Sequence, residues 1–194
     1  MPTIVTHGLV TTLLGKSVAV GRMPARFWTL SVLCSVLPDA DVLGFPLGIR
    51  YEDMLGHRGL SHSLVFAFVL SWIVAFAAFP RLPERWTRFL LFSYFFVVTA
   101  SHGALDAMTD GGLGIAFFAP FDNTRYFFSF RPIKVSPIGL SFFSARGLNV
   151  IWSELLWLCI PATIIASAVL FYRKLRLRRQ HEPETSRAHH SDLV

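Results

Sequence analysis

From Val150 to Tyr172 the chain reads VIWSELLWLCIPATIIASAVLFY, a stretch with a single charged residue, Glu154. The hydrocarbon of a bilayer, about 30 Å thick, is crossed by about 20 helical residues. Inside it every backbone donor and acceptor must be bonded within the protein, so an apolar run of this length is predicted to be a membrane helix. Two further stretches reach comparable lengths, Ser63–Phe79 and Phe89–Ala107, the latter only if its polar last turn belongs to the helix. Ile4–Val20, interrupted by His7, Gly8 and Gly15, and Phe27–Leu37, short for a crossing, complete a set of four to five expected membrane segments. Composition agrees. Charged residues make up 15% of the chain and apolar ones 53%, nineteen of them phenylalanine, against roughly 25% charged in a soluble domain. The predicted fold class is therefore all-α, a polytopic integral membrane helical bundle. Cys34 and Cys159 lie within apolar stretches and read as small core residues. The N-terminus lacks the basic region of a secretory signal, so no cleavage is expected.

Basic residues orient the segments. Lys16, Arg22 and Arg26 fall in the first connection, Arg81, Arg85 and Arg88 in the third, and Arg173, Lys174, Arg176, Arg178, Arg179 and Arg187 after the last segment. With five alternating segments all of these share one face, which the excess of positive charge assigns to the cytoplasm. The basic run after Tyr172 reads as an anchor to an anionic leaflet, with no nucleic-acid partner implied. Residues 1–175 are expected to form one helical membrane domain, and 176–194 a basic and polar cytoplasmic tail, disordered by composition. The stretch between Gly103 and Asn149, rich in phenylalanine, glycine and proline, is expected to be a cap on the outer side that dips into the headgroup region.

Polar chemistry gathers on that outer side. Ionisable groups near hydrocarbon cost a few kcal/mol each, on the order of 3 at mid-membrane, and so are paired, ligated or functional. Here they are His7; Asp39 and Asp41 in PDAD; His57, Arg58 and His62 in HRGLSH; His102 and Asp106 in SHGALD; and Glu154. His102 and Asp106 are one helical turn apart on one face and suit chelation of a single ion. Asp39 and Asp41, two apart, do not share a helical face, but on an extended turn they face one ion, or one of them holds a histidine. His57 and His62 meet only if the Gly59 turn bends the chain, with Ser61 left to cap or to bond substrate. Each residue also has a plainer reading: a hydrogen-bonded histidine, a capping turn for PDAD, a solvated carboxylate at a helix start for Glu154. One metal site accounts for them together. Histidines and carboxylates without cysteine suit zinc or manganese, as one or two ions, and a two-metal hydrolytic centre would use most of the set. Nothing matches GxSxG, a P-loop or HExxH.

The succession Thr6-His7, Pro38-Asp39-Ala40-Asp41, His57-Arg58-Gly59-Leu60-Ser61-His62-Ser63 and His102-Gly103-Ala104-Leu105-Asp106, followed by Thr109 and Gly111, resembles the YdjM-like family of LexA-regulated, inner-membrane metal-dependent hydrolases of bacteria. The likeness covers about residues 1–172. It implies a membrane protein whose metal site is built from these motifs, with a loose similarity to zinc-dependent phospholipases C, and supplies no substrate. The expected function is hydrolysis of a phosphoester or phospholipid by a water activated by a divalent metal, at the outer face of the bacterial inner membrane. The expected ligands are His57, His62, His102, Asp106 and Asp39, then Asp41, His7 and Glu154. Arg58 is expected to steady the substrate's negative charge, and Asp41 or Asp110 to act as general base. Two other classes fit the same residues: an ion relay or transporter, and a non-catalytic scaffold stapled by metal. Membrane lipids are the expected partners.

Overall fold

The computed structural model describes residues 1–19, 21–80, 85–137 and 142–181. Among them there is no β-strand, only two isolated bridges. Six α-helices are present: α1 Ile4–Val18, α2 Ala25–Val36, α3 Leu64–Ala77, α4 Arg85–Ala107, α5 Ala145–Glu154 and α6 Ile160–His181. The last two join through a π-helical turn, Leu155–Cys159, so that one rod runs from Ala145 to His181.

Local signals explain the boundaries. Thr3 caps α1, its hydroxyl accepting from the Thr6 N–H. Ser63 does the same for α3 through the Phe66 N–H at 3.0 Å, satisfying donors that a helix start leaves unpaired. At Pro38, which has no N–H to give, α2 tightens into a long 3₁₀ segment, Leu37–Leu47, that stops at Gly48 in a left-handed conformation (φ 84°).

Ala25–Leu47, Thr87–Ala107 and Ala145–Arg178 are long and apolar enough to cross a membrane. Two sequence expectations change here. The second segment, expected to be short, is lengthened to 23 residues by the 3₁₀ continuation. Ser63–Phe79, expected to span, forms a helix of only 14 residues, about 21 Å at 1.5 Å per residue, because the HRGLSH turn holds its start and Pro80 follows its end. The helix of the expected tail also continues through His181. Residues 182–194, with His189 and His190, lie outside the described residues, as does Arg81.

The helices pack α3 on α4, α1 on α2 and α6, and α2 on α4. Their shared core holds Phe27, Cys34, Val74, Phe79, Phe95 and Val98, all buried. Outward they expose Phe68, Trp72, Ile164, Ile165 and Phe171, each at least half exposed, a surface suited to lipid. Successive segments along the chain alternate in direction, with α1 and the α5–α6 rod parallel, and this brings the start of α1, the end of α2, the start of α3, the end of α4 and the start of α5 to one end of the bundle. At the other end Arg173 of α6 donates to the Ser17 carbonyl at 3.0 Å, beside exposed Lys16, Arg22 and Arg26.

Candidate metal centre

Five buried side chains from four segments meet at the polar end. His7 comes from the second turn of α1, Asp39 from the 3₁₀ segment, His62 from the turn before α3, and His102 and Asp106 from the last turns of α4; none is more than 5% exposed. Two glycines permit this closeness. A Cβ on Gly59 would stand 2.2 Å from the Met54 carbonyl oxygen, and one on Gly103 would stand 2.8 Å from that of His62. Gly59 thus lets the HRGLSH turn fold tightly on its own loop, and Gly103 lets α4 approach the His62 backbone.

The imidazole Nε2 atoms and carboxylate oxygens point at one another. His102 Nε2 lies 3.2 Å from both Asp39 Oδ1 and His62 Nε2. His62 Nε2 lies 3.5 Å from Asp39 Oδ1 and 3.6 Å from Asp106 Oδ2, and His7 Nε2 is 3.7 Å from Asp106 Oδ1. The His7 and His102 rings stack at 4.0 Å. Ligand atoms about 2.1 Å from a tetrahedral ion stand about 3.4 Å apart, within the range of these separations.

The outer faces of the rings fix where protons sit. His102 Nδ1 is 2.7 Å from the Ser35 carbonyl oxygen; that oxygen can only accept, so Nδ1 carries the hydrogen and Nε2 is left with a lone pair. Ser61 donates its hydroxyl hydrogen to Asp41 Oδ2 at 2.5 Å and accepts from His62 Nδ1 at 2.9 Å. His62 Nδ1–H therefore leaves that ring's Nε2 as the inward atom as well. Two inward nitrogens facing two aspartates are disfavoured unless a proton or a cation lies between them. Burial opposes charge on His62, yet hydrogen bonds to Asp39 and Asp41 overcome it and hold its pKa up to about 9. A divalent cation would replace that proton. His7 Nε2, Asp39 Oδ2 and both Asp106 oxygens are buried without a hydrogen-bond partner, a costly state for polar atoms unless an ion satisfies them. Asp39, His62, His102 and Asp106 together could hold a metal ion, and His7 borders them. This set fits a divalent cation by chemistry and spacing.

A second group, Asp41, His57 and His62, also has metal-ligand spacing, but hydrogen bonds already fill it. Asp41 Oδ1 takes His57 Nδ1 at 2.7 Å, and Oδ2 takes Ser61 and the Arg58 N–H, the latter at 3.2 Å. His62 Nδ1 is 3.2 Å from the same Oδ2. Asp41 therefore orients the His62 ring from behind while Asp39 faces its inner nitrogen. Both Asp41 oxygens thus serve bonds that position other residues.

Three other expectations are corrected. Arg58 does not face a substrate: its side chain is 1% exposed, with Nε 3.2 Å from Asp106 Oδ2, Nη1 donating to the Gly111 carbonyl at 2.8 Å and Nη2 to the Thr109 hydroxyl at 3.0 Å. Its φ of 67° is the single positive value on a described non-glycine residue, a strained conformation that aims the guanidinium inward. Asp110 is no base for the cluster, since it pairs with Lys134 Nζ at 2.9 Å and the Val135 N–H at 2.9 Å on the surface. Partial burial opposes its charge, but the Lys134 hydrogen bond prevails and holds the carboxyl below its ordinary pKa. Glu154 is buried but spent on the α1 cap, accepting from the Thr3 N–H and hydroxyl at 2.6 Å each and from the Thr6 hydroxyl at 2.5 Å. A helix N-terminus attracts a carboxylate, and that attraction explains its position.

The stretch between α4 and α5 clasps the HRGLSH turn. Ala116 N–H donates to the Arg58 carbonyl, Leu64 N–H to that of Phe117, and Arg125 Nη1 to that of His57 at 3.0 Å. Arg125 and Ser35 are not legible as part of this site from sequence pattern: Ser35 acts through its backbone, and Arg125 is an isolated cation in an aromatic run.

No solved structure matches this chain. It is 35% identical to the inner membrane protein YbcI of Escherichia coli (strain K12) over 178 residues, 90% of this chain and 100% of that protein. The family described as YdjM inner membrane protein matches residues 1–176. With its apolar helices and its buried histidine and aspartate cluster, the chain belongs to the YdjM inner membrane protein family.

Proposed function

We propose that this protein is a membrane-bound, metal-dependent hydrolase that cleaves a phosphoester. The observation carrying the reading is the convergence of His7, Asp39, His62, His102 and Asp106, among which His7 Nε2, Asp39 Oδ2 and both Asp106 oxygens are buried without a hydrogen-bond partner. A divalent ion, zinc or manganese by donor type, would supply Lewis acidity, acidifying a water and drawing charge from phosphoryl oxygens. Asp39 offers the oxygen suited to proton transfer. Its Oδ1 faces His62 and His102, while Oδ2 has no hydrogen-bond partner, and the residue lines a cavity of about 690 Å³. In the reaction, the water oxygen bonds to phosphorus as the ester P–O bond breaks. The water proton passes to Asp39 Oδ2 and then to the departing alkoxide. Arg58 and Asp41 hold Asp106 and His62 in position. The basic end of the bundle suits the cytoplasm and the metal end the outer face of the inner membrane.

Elemental analysis of purified protein, paired with turnover of a soluble phosphodiester, tests the reading. Stoichiometric divalent metal is expected, with metal and turnover both lost in Asp106→Asn and His62→Ala. Metal-free protein, or full turnover by those variants, would refute it. Burial of the ligands also favours a metal that only staples the helices. In that case chelation melts the protein and the metal-loaded form cleaves no phosphoester.

A further inference from the structure

The 690 Å³ cavity gives the site a direction of approach. Val5 and Leu9 of α1 form one wall, Ile151 of α5 and Leu155 of the π turn the other, with Phe143 at the rim and Asp39 at the inner end. Val5 is 77% exposed, Phe143 85%, Ile151 47% and Leu155 42%, so the cavity opens sideways on the outer surface of helices from an inner-membrane family. An exposed apolar surface of this kind suits lipid. Glu154 takes the Thr3 and Thr6 donors, no lysine, arginine or histidine is among the described lining residues, and the Met1 amino group stands at the same lining as Asp39. At Asp39 the lining reaches the metal ligands. The α5–α6 rod carries its π turn along this wall, a departure from α geometry that recurs at functional sites. The volume falls within the about 300–1,000 Å³ of small-molecule sites.

We infer that the substrate is a bilayer lipid phosphoester that enters sideways between α1 and α5, one acyl chain lying along Val5, Leu9, Ile151 and Leu155 while its phosphate reaches Asp39 and the metal. The inference rests on the hydrolase reading of the same site. It explains why an apolar trough ends on a carboxylate, and why the centre can be closed to water yet open to a membrane component.

Full-length metal-replete protein in nanodiscs of phosphatidylethanolamine and phosphatidylglycerol, doped with a phospholipid bearing a diazirine midway along one chain, is irradiated and its peptides are mapped. Label is expected on residues 1–9 and 142–159. It should fall about tenfold or more when Val5→Trp and Ile151→Trp together fill the mouth, with metal content, the check on folding, unchanged. Wild-type protein should also cleave a long-chain phospholipid at least about tenfold faster than its water-soluble headgroup phosphodiester at equal concentration. Label spread evenly over the exposed faces of α3 and α6, or unmoved by the tryptophans, overturns the groove while metal-dependent cleavage of the soluble ester would leave the hydrolase standing. Label confined to the groove with neither ester cleaved overturns the hydrolase, and the substrate role with it.

Discussion

Replacing Arg58 by lysine keeps the charge and removes the fork. In the structure that fork donates to the Gly111 carbonyl at 2.8 Å and the Thr109 hydroxyl at 3.0 Å while its Nε stands in ion-pair range of Asp106 Oδ2 at 3.2 Å. A lysine ammonium is one point charge and cannot span them. Removing one partner of a buried ion pair costs about 3–5 kcal/mol. Lysine retains part of that attraction and leaves the Gly111 or Thr109 acceptor unpaired, so about 2–4 kcal/mol is expected for Arg58→Lys and the full 3–5 for Arg58→Met. For a chain of this size each kcal/mol moves the melting temperature by about 2–4 °C, which puts the lysine variant on the order of 10 °C below wild type. The backbone adds an internal control. With φ at 67°, glycine should be less destabilising than alanine at this position by about 1 kcal/mol, although both delete the side chain. Thermal unfolding in detergent followed by tryptophan fluorescence, with elemental analysis of each variant, reads all four. An Arg58→Lys protein with wild-type melting temperature and metal content but a raised KM would show that Arg58 meets the substrate after all, and the reasoning from its burial would be wrong.

Asp41→Asn puts an amide where the carboxylate receives His57, Ser61, His62 and the Arg58 N–H; metal affinity should fall about 10–100-fold, measured by competition with a chromogenic chelator. His62 without metal is protonated up to about pH 9, so binding must displace that proton. Affinity should rise about tenfold per pH unit from pH 7 toward 9 and level off above, with proton release detectable in weakly buffered solution; a pH-independent affinity would contradict this. Glu154→Gln weakens three hydrogen bonds at the start of α1 and should cost about 1–3 kcal/mol of thermal stability. Metal content should be retained, because Glu154 is not among the ligands, and metal loss would reverse that assignment.

The sequence carried the class of fold and the neighbourhood of the site further than it carried the roles within it. Apolar length alone located the helices of Thr87–Ala107 and Ala145–Arg178, and alternation of segments placed His7, PDAD, HRGLSH and SHGALD at one end. Helical periodicity also paired His102 with Asp106. What stayed hidden is whatever depends on distant backbone. Pro38 tightens PDAD into a 3₁₀ segment, but that Asp39 and Asp41 then fall on opposite edges of one imidazole depends on where the distant turn before α3 holds His62. An arginine between two histidines suggests a substrate contact on chemical grounds. Only the positive φ of Arg58 and the loop at Gly111 turn it inward. Glu154 looked like a ligand because its partners, Thr3 and Thr6, lie at the far end of the chain.

The pairing of His7 with Asp106 has a consequence for the order in which the protein is made. His7 leaves the ribosome about 100 residues before its carboxylate partner, and at about 5–20 residues per second the interval is roughly 5–20 s. During that time α1 carries an imidazole that no finished helix can shelter. Only when α4 arrives do His102, stacked on His7 at 4.0 Å, and Asp106 close around it. The polar side of the first helix to emerge is thus completed only by the fourth, so the site cannot assemble before Asp106 is made.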